Sequence, residues 1–121
     1  KPYNTLAALT ADGRKFQSIF CNYPASSFTA DDTTPDVSKN FLFKSVANTK
    51  ATAITDLKNA QEGRVYVIEV GSETNPISIA KAGKFANISE AFTPSKTGSY
   101  IKLTYDSSTT LFREVERRVI A

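Results

Sequence analysis

Between Val37 and Ile120, short segments of β-branched and aromatic residues recur at roughly ten-residue intervals, each bounded by a turn signal. No convincing long helix interrupts them, so this spacing is the strongest constraint on the fold: the segments read as strands. The clearest is Arg64-Val65-Tyr66-Val67-Ile68-Glu69-Val70, opened by Gly63. Apolar residues fall on both of its faces, which predicts burial on both sides. Val37, Phe41 and Phe43 mark an earlier strand, and Ala51–Leu57 another, with β-branched Thr52, Ile54 and Thr55. Ile77-Ser78-Ile79-Ala80 alternates strictly, and Tyr100–Tyr105 alternates as well. Leu111–Ile120 carries both a helical and an alternating spacing, and strand is preferred because a turn and β-branched residues surround it. The predicted core is Ile54, Val65, Val67, Ile77, Ile79, Phe85, Ile101, Leu103 and Phe112.

The expected fold class is all-β, either a sandwich or barrel or a short β-helix in which successive coils stack strands in parallel. A lone small solenoid would have to cap or pair its edges, and association into a trimer is one way to do so. With 121 residues, one hydrophobic core can hold such a domain without metal or disulfide. The stretch 25–36 is polar and has the composition of a linker. It divides an N-terminal arm, residues 1–30, from a β-rich body, residues 31–121. In the arm, Lys15–Tyr23 could form a strand with Phe16, Ile19 and Phe20 apolar. Tyr3, Leu6 and Leu9 add further apolar surface, which suits attachment to a neighbouring subunit or another copy of the chain, or else packing back onto the body.

The residue inventory excludes several chemistries. The chain has no His and a single cysteine, Cys21. Tetrahedral zinc sites, Cys/His nucleophiles and His-dependent serine hydrolysis are therefore excluded. Cys21 reads as a small buried hydrophobe. The glycines stand singly at turns, so no phosphate-binding loop is present. The net charge of +3 comes from 15 cations scattered among 12 acids, whereas a nucleic-acid binder gathers its cations on one face. No apolar run is long enough for a transmembrane helix, and no secretory signal pattern is visible. Neither nucleic acid nor membrane is expected as a partner.

Two carboxylate pairs, Asp31-Asp32 and Glu114-Glu116, could serve glycoside hydrolysis. As a strand, 111–120 would point Glu114 and Glu116 to one face, with Arg113, Arg117 and Arg118 near to neutralise them. Asp31, Asp32 and Asp36 could offer oxygen ligands to calcium but lack a regular calcium-loop spacing. Lys44, Lys50, Lys58 and Lys81 read as solvated positions that keep strand edges from mispairing. Tyr66, Tyr100, Tyr105 and Phe112 are candidate rings for stacking on sugars, or else core residues. No catalytic, cofactor-binding or metal-binding residue is assigned, no cofactor is expected, and the chain is read as a non-enzyme.

From Thr34 onward the order of motifs resembles a module of bacteriophage tail fibres, tail spikes and head fibres. Thr34-Pro35-Asp36-Val37-Ser38 followed by Phe41 resembles the entry of that module. Ala51-Thr52-Ala53-Ile54-Thr55-Asp56-Leu57 is similar to its Thr-x-Ile-Thr strand, and Glu62–Ile68 to its Gly-led central strand. Ile77, Ile79 and Phe85 occupy the next apolar rung, and Gly98–Leu103 resembles the penultimate strand. Phe112-Arg113-Glu114-Val115-Glu116-Arg117 is similar to the closing signature: an aromatic, an acid two residues on, then Arg. The closing aromatic is usually Trp, and here it is Phe112. The resemblance spans residues 34–120 and implies a β-helix-like or β-sandwich body, often homotrimeric. The role it implies is structural or attachment within a virion: a capsid decoration, head fibre or tail-fibre module. The implied partners are other virion proteins and further copies of the chain, with a host surface glycan if the module binds carbohydrate or a receptor.

Overall fold

A computed structural model of the chain describes residues 24–121. The expected arm strand at Lys15–Tyr23, and Cys21 with it, lie outside these residues. The fold is all-β, with seven strands among the described residues: β1 Ser26–Ser27, β2 Leu42–Lys44, β3 Thr52–Ala53, β4 Val65–Glu69, β5 Ile77–Ser78, β6 Tyr100–Asp106 and β7 Leu111–Arg118. Among the described residues, one sheet runs β1-β2-β4-β6-β7 and a small second sheet pairs β3 with β5. Within these residues the larger sheet stays open and no barrel closes.

Its first half is a stack of parallel coils. Ser26 pairs with Phe43, and Phe43 with Ile68, so neighbours in the ladder are 17 and 25 residues apart. On the other flank Thr52 pairs with Ile77, again 25 residues on, and Asp36 bridges Lys58 at 22. Parallel strands need a long return path, and here each return path supplies the opposite ladder. Backbone bonds join the coils on both flanks. Phe28 N–H donates to Lys44 O at 3.0 Å and Ser45 N–H to Glu69 O at 2.9 Å, while Thr55 N–H donates to Thr33 O at 2.8 Å.

The core lies between the flanks. Phe28, Phe43 and Ile68 come from one side, and Val37, Ile54, Leu57, Ile77 and Ile79 from the other. Each such side chain gains roughly 1.5–3 kcal/mol from burial. Phe28 belongs to the polar stretch 25–36, so that stretch carries the first coil of the stack.

The stack is finished by a different device. After β5, Ile79 and Phe92 exchange backbone bonds of 2.9 and 2.8 Å, folding residues 80–91 into a loop with a 3-10 turn at Gly83–Phe85. Phe85 from this loop stacks on Phe112 at 5.1 Å. The β6–β7 hairpin then extends the sheet antiparallel from β4, with Ile68 opposite Ile101 and Tyr66 opposite Leu103. Inward side chains of the hairpin are thereby covered.

Seven of the nine expected core residues are buried: Ile54, Ile77, Ile79, Phe85, Ile101, Leu103 and Phe112. Val65 and Val67 are not, because β4 buries only the face that carries Tyr66 and Ile68, as does Val70 just beyond it. The other face of the sheet has no layer against it among the described residues, and Val65 is 40% exposed. The closing segment is a strand, as its alternation predicts, with a bulge: Lys102 faces Glu116 and Leu103 faces Glu114, leaving Val115 as the extra residue. The segment expected at Ala51–Leu57 pairs as a strand only at Thr52–Ala53.

Candidate functional site

Among the described residues, polar groups collect at the corner between the two flanks, at the lip of the core under β7 and at the end of the β6–β7 hairpin, among other places. At the corner, the Asp31 N–H donates to Asn48 Oδ1 at 2.8 Å, and Asn48 Nδ2 donates to Asn75 O at 2.8 Å. Asn75 returns a bond from its own Nδ2 to Asn48 O at 3.0 Å. Asp31 also accepts from Thr49 N–H and Oγ1. Asn48 is 4% exposed. A buried amide that bonds the coil above and the coil below fixes their register, because any slip would orphan it. The Asp31 carboxyl is held below its usual range by the Thr49 hydroxyl and N–H.

The three aspartates considered for calcium do not converge. Asp31 is spent on Thr49, Asp32 accepts the Thr34 N–H, and Asp36 accepts from Ser38 N–H and Asn59 Nδ2. No group of three potential metal-ligating side chains occurs among the described residues. Lys44, Lys50, Lys58 and Lys81 are exposed, as expected of solvated positions. Lys44 pairs with Glu69 across β2 and β4 at 3.3 Å.

Glu114 and Glu116 do not share a face. The bulge at Val115 breaks the alternation, so Glu116 lies beside outward Lys102 and Glu114 beside inward Leu103. Glu114 makes a two-pronged ion pair with Arg117, at 2.7 Å to Nη2 and 3.0 Å to Nε, and both side chains are largely covered. Arg117 continues to the carbonyls of Glu90 and Ala91, at 2.6 and 3.1 Å, and its guanidinium lies over the Phe92 ring. Glu114 also accepts from Ser89 N–H and Oγ. The acid-then-Arg signature at the chain's end therefore clamps loop 80–91 onto the hairpin. Arg117 draws the Glu114 carboxyl below its usual range, and Lys102 with Tyr100 does the same for Glu116. A carboxylic acid that donates a proton near neutrality needs the opposite shift.

Of the four candidate rings, Tyr66 and Phe112 are fully buried, with Tyr66 Oη accepting the Gln61 N–H at 2.8 Å. Tyr105 is partly buried against Phe112, with centroids 5.0 Å apart. Tyr100 lies on the outer face, donates to Glu116 at 2.9 Å and carries Lys102 Nζ over its ring.

At the hairpin end, Glu62 and Tyr105 form a parallel bridge. Beside it an open cleft of about 230 Å³ is lined by Glu62, Gly63, Thr104, Tyr105, Asp106 and Arg113. Asp106 accepts from Ser108 N–H and Oγ through one oxygen and from Arg113 Nη2, at 2.9 Å, through the other. The Ser108 hydroxyl, followed by Arg113, pushes the Asp106 carboxyl far below its usual range. Glu62 Oε1 accepts from Ser107 N–H and Oγ at 3.1 and 2.7 Å. The turn signals at Gly63 and Asp106-Ser107-Ser108 are legible in the sequence. The bridge that joins them across 43 residues is not.

No helix among the described residues is long and apolar enough to cross a membrane. Compared with known proteins, the chain matches no family model, no curated protein and no solved structure.

Proposed function

We propose that this chain is a non-enzymatic structural module of a bacteriophage virion, working as a capsid decoration, head fibre or tail-fibre element. The observation that carries the reading is the stack of parallel coils at 17 to 25 residues per turn, ended by a clamped hairpin. It coincides with the motif order that resembles such modules from Thr34 to Arg117. In a stack of this kind each coil contacts only its neighbours through a continuous ladder of backbone bonds, which suits a structural spacer. Partners in this reading are other virion proteins and further copies of the chain, which would cover the edges that a short stack leaves open. Mass spectrometry of density-purified particles tests it. The expected result is stoichiometric recovery of this chain with the particle, and its absence from particles would remove the proposal.

A second reading, a carbohydrate- or receptor-binding module, is favoured by one observation. The hairpin-end cleft sets an exposed guanidinium and carboxylates around a concave surface. The two readings are compatible on one particle, since attachment modules combine a rigid scaffold with a contact surface.

A further inference from the structure

We infer that the hairpin-end cleft is a subsite for the hydroxyl groups of one sugar ring, formed by Glu62, Thr104, Asp106 and Arg113. The inference rests on the carbohydrate-binding reading and assigns it a place. The cleft, at about 230 Å³, lies below the 300–1,000 Å³ typical of drug-sized ligand pockets, which suits a single ring or its edge.

The hydrogen-bonding capacity around it is only half used. Glu62 spends Oε1 on Ser107, and its Oε2 has no partner among the described residues. Arg113 spends Nη2 on Asp106 and leaves Nε and Nη1 without one, with its side chain 63% exposed. Thr104 contributes a hydroxyl on the outer face, opposite Arg113 in the β6–β7 ladder. A free carboxylate oxygen accepts from a ligand hydroxyl, and a free guanidinium edge donates to one. A neutral polyol satisfies both. A bare anion would meet Glu62 and Asp106, and a bare cation would meet Arg113.

The groups are also held in place beforehand. Ser108 fixes Asp106, Asp106 fixes Arg113, and Ser107 fixes Glu62. The loop that carries the serines closes through Thr110 at φ 58°, a left-handed conformation that a β-branched residue seldom adopts. Strained backbone beside a preorganised polar cluster is a recurrent mark of a contact site.

The test uses the full chain. The wild type, Glu62→Gln and Arg113→Ala are applied to an array of bacterial polysaccharides, and the same proteins are titrated by amide NMR with glucose, galactose, rhamnose and N-acetylglucosamine. Both substituted residues are exposed, and unchanged amide dispersion elsewhere shows that the variants remain folded. The expected result is glycan binding by the wild type, with shifts confined to residues 62–63 and 104–113. Each variant should bind at least about tenfold more weakly, the loss of one charge-assisted bond. If the variants bind as tightly as the wild type, the cleft assignment is overturned and the carbohydrate-binding reading survives. If the wild type binds no glycan, both fall.

Discussion

The rings of Phe28 and Phe43 stack with centroids 5.1 Å apart and planes 21° from parallel. Hydrogen-bonded strands lie about 4.8 Å apart, so the two rings follow the rise of the coils, one rung each. Phe43, at 2% exposure, sits between the rungs of Phe28 and Ile68. Phe43→Ala should cost roughly 3–5 kcal/mol, and Phe28→Ala less, because Phe28 has a described neighbour on one side only. Urea denaturation of the two variants measures the difference.

Neighbouring positions of β4 should respond very differently to charge. Ile68 is fully buried, whereas Val67 lies on the outer face and is half-buried. Ile68→Asp should prevent folding or lower stability by more than about 4 kcal/mol, since it buries an unpaired carboxylate. Val67→Asp, although it falls in the same apolar run, should cost about 1 kcal/mol. Thermal melting of the pair checks which face of the strand is inward.

Gly71 is required by a close approach between coils. A Cβ there would run into the carbonyl oxygen of Ser45, a backbone atom that cannot swing away. The Gly71 N–H also donates to Ser45 Oγ at 3.2 Å. Gly71→Ala should destabilise by about 1–3 kcal/mol, while Gly63→Ala, with open space around it, should lose only about 1 kcal/mol through its left-handed backbone. Chemical denaturation separates the two causes.

The clamp at the chain's end predicts an acid-sensitive component of stability. Arg117 holds the Glu114 carboxyl below its ordinary value in the folded state. The pair therefore stabilises fully above the unfolded carboxyl's pKa, about 4.3, and its contribution is lost as pH falls through the lower folded value. Melting temperature should drop more steeply on acidification in the wild type than in Glu114→Gln, which starts lower at neutral pH. Parallel curves for the two proteins would count against the clamp.

Strand content was legible because alternation is local. Tyr100–Tyr105 and Leu111–Ile120 read as strands and form β6 and β7. What alternation cannot reveal is the partner. The ladder Ser26–Phe43–Ile68 joins residues far apart through coils of unequal length, and unequal coils leave no repeat in the sequence. Apolar residues on both sides of β4 gave no way to choose the buried face, and the choice follows from the hairpin pairing Tyr66 with Leu103 and Ile68 with Ile101. The polar stretch 25–36 resembles a linker because its Asp31 serves the corner ladder, a role visible only once Asn48 lies beside it. The bulge at Val115 likewise depends on register with β6 and separates two glutamates that simple alternation puts together.

The proposed structural role rests on the parallel stack of coils, and solution NMR of the labelled chain tests that stack most directly. Nuclear Overhauser contacts are predicted between the backbones of Ser27 and Lys44, of Phe43 and Ile68, and of Thr52 and Ile77, with the pattern of parallel neighbours. Antiparallel contacts at these positions, or none while β6 and β7 give theirs, would contradict it.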